Sequence, residues 1–243
     1  MIDYLSASQI NCFIEEPALW IVQYVRGIKG EAGPAAYRGL ALEAAVDYIL
    51  FKQPATEEEL VKIALQRFEL DAGGEISDAA DKQREEIPEY LTNLIPFLQQ
   101  QDWGLPVRQV KIETWIDDVR LTGYIDYKWP DWLLDLKTTG KMPSFRDGIL
   151  VGKDGHIRQM AIYREATGTA PTLLYATPGK AKEPVLYRPS DHELDVGMRQ
   201  IRAAIRAIKR IDEGNIEMFP PRDLTSYMWS DVTREAASKI WRL

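Results

Sequence analysis

Residues 123–141 read GYIDYKWPDWLLDLKTTGK. Two short apolar runs flank a Pro-Asp pair, and each run carries one aspartate, Asp126 or Asp135. Such runs read as strands and Pro-Asp as a turn, so the stretch predicts a β-hairpin. A turn centred on Pro130 and Asp131 sets Trp129 opposite Trp132, Tyr127 opposite Leu134 and Asp126 opposite Asp135. Strand alternation then places Leu121, Ile125, Tyr127, Trp132, Leu134 and Leu136 on a face able to pack on a core. Thr122, Tyr124, Asp126, Lys128, Asp135, Lys137 and Thr139 share the other face. Directly opposed side chains have Cβ atoms about 4.5–5.5 Å apart, and two carboxylates at that distance repel. A divalent cation with hard oxygen ligands offsets the repulsion directly. Lys137 offers a second compensation, either as a structural salt bridge or by orienting a water beside a metal. The competing reading is an Asp–Lys–Asp network on a solvated hairpin.

The rest of the chain sets the frame. SASQINCFIEEPALWIVQYV opens with Ser6 or Ser8 as N-cap and then takes helical apolar spacing. LALEAAVDYILF reads as a mostly buried helix. Two further helical stretches cover about 56–70 and 78–101, the second interrupted by Pro88 and Pro96. VRQVKIETWI, VRLTGYIDYKW and WLLDLKTT follow as strands, then GHIRQMAIYREATG as a helix. PTLLYAT and PVLYRP read as strands, and a long helix over about 190–211 precedes a C-terminal tail. The order is that of an α/β or α+β core, a sheet with helices against it. The stretch 56–101 stands out as a candidate helical insertion within a single domain spanning 1–243.

Composition narrows the class. The chain has 243 residues, 45% hydrophobic and 28% charged, with Cys12 as its only cysteine. Disulfide frameworks and multi-cysteine metal sites within one chain are excluded. No run approaches the ~20 apolar residues of a membrane span. An intracellular, cytoplasmic protein is the expectation. A net charge of −7 argues against a general nucleic-acid coat. Locally, Arg199, Arg202, Arg206 and Lys209 draw a basic stripe down one helical face, read either as a phosphate-contacting surface or as a solvated one. His156 and His192 have no partner at metal-ligand spacing and read as surface residues.

GYIDY followed by LLDLKTT resembles the active-site hairpin of the PD-(D/E)XK nuclease superfamily, and most of all its RecB-like branch, which includes phage exonucleases. There a G-x-x-D strand is followed by D-x-K, matched here by Gly123, Asp126, Asp135, Leu136 and Lys137. The branch also has a helix with glycine and, four residues on, a metal-binding histidine or acid. YRGLALEAAVDYIL supplies Gly39 and Glu43, the acid being a departure from the histidine common in relatives. The helix after the hairpin carries Q-x-x-x-Y, matched by Gln159 and Tyr163. LSASQINCFIEEPALWIVQYVRGI is similar to the opening helix of these nucleases. Some relatives hold an iron–sulfur cluster through a cysteine before that proline and others near the C-terminus. Here Glu16 precedes Pro17 and FPPRDLTSYMW has no cysteine, so no cluster is expected and packing must hold the tail.

The resemblance implies a restriction-endonuclease-like core, a central mixed sheet flanked by helices. It implies phosphodiester hydrolysis with Mg²⁺ or Mn²⁺ held by Glu43, Asp126, Asp135 and the backbone carbonyl of Leu136. Asp126, Asp135 and Lys137 are the implied catalytic set, Lys137 orienting the attacking water. Gln159 and Tyr163 are expected to position the substrate, and Arg158 and Arg164 to contact backbone phosphates. Glu113, in the strand before, is expected to be structural or to support the site. The implied partner is DNA, single- or double-stranded, with a homo-oligomer or a recombination partner protein left open and no membrane. Two rivals remain: a catalytically silent DNA-binding module on the same fold, and a structure- or sequence-specific endonuclease. A nucleotide-binding protein is discounted, because no Gly-rich loop ending in Lys-Ser or Lys-Thr is present.

Overall fold

The structure is a computed structural model and describes residues 4–140, 142–146, 149–179, 183–211 and 214–243. Ser6 caps α1 (Ala7–Glu15) reciprocally: its hydroxyl accepts the Gln9 N–H, and its own N–H donates to the Gln9 side chain. The helix stops at Glu16, because Pro17 has no N–H to continue it. α2 (Pro17–Trp20) starts there and passes into a π-helical turn over Ile21–Val25, so the opening helix is broken where the spacing suggested one run. α3 (Pro34–Leu50), α4 (Glu57–Ala72) and α5 (Asp78–Gln99) follow. Thr56 caps α4 with the same reciprocal pattern, through Glu59.

α5 runs through both Pro88 and Pro96, which were expected to interrupt it. An interior proline costs about 3 kcal/mol or more. Against that, Ile87, Tyr90, Leu91, Leu94, Ile95 and Leu98 are buried on one side of the helix. Full burial of a large apolar side chain is worth about 1.5–3 kcal/mol, so six outweigh two prolines.

The strands are β1 (Val107–Ile116), β2 (Val119–Lys128), β3 (Trp132–Thr138), β4 (Ser144–Arg146), β5 (Ile149–Val151), β6 (Ala170–Ala176) and β7 (Val185–Tyr187). β4 and β5 form a small separate hairpin absent from the sequence reading. The other five make one mixed sheet in the order β1-β2-β3-β6-β7. β3 and β6 are parallel. A parallel pair needs a crossover, and α6 (Asp154–Thr167) supplies it. α7 (Asp191–Ile208) and α8 (Asp231–Trp241) complete the chain, α8 lying in what was read as tail. Among the described residues no helix is long and apolar enough to cross a membrane.

Both sheet faces are covered. α1, α6 and α7 enclose one core with Ile112, Leu121, Ile125, Leu133 and Leu173. α3, α4 and α5 enclose the other with Tyr127, Trp129, Leu134 and Leu174. The single apolar hairpin face expected from alternation is therefore divided, Leu121 and Ile125 joining one core and Tyr127 and Leu134 the other. The changeover falls at Asp126. In β1, Arg108 lies opposite Tyr127 and Val110 opposite Ile125, which puts Gln109 across from Asp126. Gln109 has a left-handed backbone, φ 49°, and this breaks the pleat.

The turn register is the expected one. Tyr127 pairs with Leu134, Lys128 with Leu133, and the Trp129 N–H donates to the Trp132 carbonyl at 2.9 Å. Beyond Tyr127 the two strands fork. Asp126 and Asp135 are not a ladder pair; the Leu136 N–H instead donates to Asp126 Oδ2 at 2.9 Å. On that side of β2 the N-terminal segment steps in: the Leu5 N–H donates to Arg120 and the Leu5 carbonyl accepts from Thr122, both at 2.9 Å.

Candidate active site

The fork opens a gap between α3 on one side of the sheet and α6 on the other. Asp135 is 1% exposed. Its Oδ1 accepts Gln159 Nε2 at 3.1 Å, and its Oδ2 lies 2.6 Å from Lys137 Nζ. That ion contact lacks hydrogen-bond alignment, leaving Oδ2 a buried oxygen without a directed donor. Lys137 is the more open partner, with a side chain 20% exposed. Asp126 is held well above the usual carboxylate range, by burial first and then by the charges of Asp135 and Glu43.

Gln159 and Tyr163 sit on one face of α6, as their spacing requires. Gln159 Nε2 also donates to the Tyr163 hydroxyl at 2.7 Å, and that hydroxyl donates to the Tyr124 carbonyl. Tyr163 is 3% exposed and packs over Gly123, where an added Cβ would come 3.3 Å from its ring. The motif glycine thus makes room for the motif tyrosine. Gln159 touches Asp135 directly, and the buried Tyr163 holds Gln159 in turn.

Glu43 approaches from α3, its side chain 12% exposed. It accepts from Gln109 and from Arg108, the latter at 3.3 Å, and burial raises its pKa. Arg108 Nε also lies 2.7 Å from Asp47, which accepts the Tyr127 hydroxyl at 2.8 Å. Asp47 is therefore tied into the same cluster, and burial raises its pKa as well. Arg108 and Gln109 were missed in the sequence. An Arg-Gln pair in a strand carries no chemical signature, and only the register that sets Gln109 across from Asp126 brings it here.

Among the described residues no three His, Cys, Asp or Glu side chains gather at metal-ligand spacing. Glu43 is drawn to Arg108 and Gln109, which keeps it from closing on the aspartates. The donor set still fits a hard divalent cation: every donor is a carboxylate or carbonyl oxygen, one buried oxygen of Asp135 has no directed donor, and Asp126 is crowded by two other acids.

Several expected contacts lie elsewhere. Arg158 is 4% exposed, donates to Asn11 at 2.6 Å and Gln200 at 2.9 Å, and ties α6 to α1 and α7. It is buried away from any phosphate. Arg164 is paired with Asp191 at 2.8 Å and Asp195 at 2.7 Å on α7. The basic stripe folds onto Asp117 in the β1–β2 turn: Arg202 and Arg206 pair with its carboxylate, and Lys209 donates to its carbonyl. Arg199 stays exposed. Glu113 stands on the outer ribbon face, 3.9 Å from Arg120, and not at the fork. His156 is no surface residue: its Nδ1 meets the Tyr175 hydroxyl at 2.9 Å, and burial, with Lys137 and Lys153 nearby, pulls its pKa down to about 3. Glu16, where some relatives have cysteine, is buried and accepts the Arg222 N–H at 3.2 Å, which fastens the tail.

This fork, with two acids and a lysine on adjoining strands, is the arrangement of a known class. The model of the PD-(D/E)XK nuclease superfamily matches residues 4–223. The chain belongs to that superfamily, whose members generally use divalent metal ions and whose fold implies DNA as substrate. A candidate exonuclease from Eubacterium rectale superposes with a TM-score of 0.60 at 18% identity, over 96% of this chain and 88% of that one. That likeness shows the shared fold. LHK-Exo in complex with dAMP aligns with a TM-score of 0.34 at 13% identity, over 75% of this chain and 94% of that one. No curated protein matches the sequence.

Proposed function

We propose that the chain is a divalent-metal-dependent deoxyribonuclease of the RecB-like branch, acting as an exonuclease in DNA recombination, repair or phage DNA metabolism. The observation that carries this reading is the fork itself. It sets a crowded Asp126 and a buried Asp135 on diverging strands, with Lys137 Nζ 2.6 Å from Asp135. Asp126 and Asp135 are the residues to hold Mg²⁺ or Mn²⁺, with Glu43 and the Leu136 carbonyl as further ligands. Held there, such a cation supplies Lewis-acid polarisation of the scissile phosphate and lowers the pKa of a water.

The chain's own groups do the rest. Gln159 fixes the Asp135 carboxylate from below, and Tyr163 fixes Gln159. Lys137, more open than Asp135 and Glu43, orients the attacking water and offsets negative charge gathering on the phosphate. Arg108 and Gln109 restrain Glu43. The whole of 1–243 is read as one nuclease domain, with α4 and α5 as a helical addition that roofs one face of its sheet.

Lys137→Ala tests the assignment. Cleavage should fall about 10²- to 10⁴-fold, the usual worth of a positioned proton-handling group, while DNA binding without metal stays near wild type. Wild-type cleavage by the variant would remove the assignment. Matched linear and closed-circular DNA in Mg²⁺ test the mode: nucleotide release from linear DNA alone supports an exonuclease, and cutting of closed circles overturns it.

A further inference from the structure

Among the described residues, the β1–β2 ribbon extends past the fork with only one face covered. Ile112, Ile116, Leu121 and Ile125 pack into the core against α1, α6 and α7. The opposite face carries three cross-strand rungs: Lys111 opposite Tyr124, Glu113 opposite Thr122, and Trp115 opposite Arg120. Tyr124 is 55% exposed and Trp115 65%. Tyr4 lies alongside, 45% exposed, with the Arg120 guanidinium 5.9 Å from its ring centroid. Folding makes little use of these three rings, although aromatic side chains dominate burial wherever they are enclosed.

The face is continuous with the proposed site. Tyr124 precedes Asp126 by two residues on β2, and its carbonyl accepts the Tyr163 hydroxyl that fixes Gln159. From Tyr124 to Arg120 the strand covers about 14 Å at about 3.4 Å per residue, room for a short extended run of nucleotides. The kind of nucleic acid follows from the side chains. Duplex binding is dominated by many cations set against phosphates. Here Lys111 and Arg120 are the only cations on the rungs, and Glu113 sits between them. The rungs carry two rings and two cations, Tyr4 adds a third ring alongside, and rings are what unstacked bases need.

We propose that this face is a track for single-stranded DNA leading to the fork, with Tyr124, Trp115 and Tyr4 as stacking platforms and Lys111 and Arg120 as phosphate contacts. The proposal deepens the nuclease reading and rests on it for what the strand is led to. The test is binding by the full chain in EDTA, so that nothing is cut. A labelled oligodeoxynucleotide is used single-stranded and as a blunt duplex of the same sequence, and affinity is read by fluorescence anisotropy. Trp115→Ala and Tyr124→Ala should each weaken single-strand binding about tenfold, the lower part of the range for losing one base–aromatic stack. Trp115→Phe and Tyr124→Phe should recover most of it, and duplex affinity should not move. Equal losses on both forms, or no loss on either, overturn the track. Light scattering covers the other occupant: if Trp115→Ala splits a dimer and leaves strand binding intact, the face joins two copies and the proposal falls. Wild-type cleavage in Mg²⁺ is a separate arm, so failure of the nuclease reading shows there and failure of the track in the metal-free binding.

Discussion

Asp126 accepts one backbone hydrogen bond and faces two other carboxylates, whereas Asp135 has Lys137 and Gln159 against it. Removing the charge should therefore act in opposite directions at the two positions. Asp126→Asn keeps an oxygen for the Leu136 N–H and removes the crowded charge, so the metal-free protein should melt higher than wild type. Asp135→Asn leaves Lys137 without its carboxylate, and breaking one side of a buried pair is destabilising, so that variant should melt lower. Both should lose most of the rise in melting temperature that Mg²⁺ gives the wild type, because a ligand stabilises only through the state that binds it. Melting curves in EDTA and in Mg²⁺ decide; a shift of the same sign for both metal-free variants would sink this account. The motif letters marked both aspartates equally. Their inequality comes from Gln159 and Glu43, which arrive from different helices and which spacing alone could not place against one acid or the other.

At the scale of elements, α7 shows what periodicity can and cannot give. Its approximate extent and its charged stripe were both legible, because each is written within the helix. What the stripe faces was not, because Asp117 lies far away in sequence, in the turn that closes β1 and β2. Arg202, Arg206 and Lys209 grip that turn from outside. Neutralising Arg202 and Arg206 together should lower stability modestly, since the pairs are partly exposed and exposed pairs are each worth about 0.2–1 kcal/mol. It should leave the salt dependence of DNA binding unchanged. A slope of log Kd against log salt that falls by about one unit per arginine would return the stripe to the DNA-binding surface. The same limit explains α5, α8 and the β4–β5 hairpin. Prolines, a short amphipathic helix and two three-residue strands are settled by what they pack or pair with, which local spacing does not record.

For the whole molecule the class, a sheet with helices against it, followed from the string of elements and the turn register from one Pro-Asp pair, but the division of the hairpin between two cores did not. That division depends on a left-handed Gln109, a backbone state a glutamine rarely adopts and a sequence does not announce. His156, half-buried against Tyr175, gives global stability a pH dependence. A histidine held neutral to about pH 3 contributes stability that is fully present above its unfolded pKa of about 6.5 and is lost as pH falls through that window. The raised Asp126 acts the other way, gaining relative stability as pH falls, and is common to any pair of proteins that differ only at His156. Melting temperatures from pH 7 down to pH 4 should fall more steeply for wild type than for His156→Gln; parallel curves would show that the imidazole is free to protonate in the folded state. The fork has a different kind of consequence. Strands joined by a ladder keep a spacing of about 4.8 Å whatever happens around them. Once the ladder ends at Tyr127, the separation of the two acids is set by the helical layers above and below. A longer or shorter turn between them would then leave that separation alone, whereas a change at Ile125, Leu134 or the glycine beneath Tyr163 would move it.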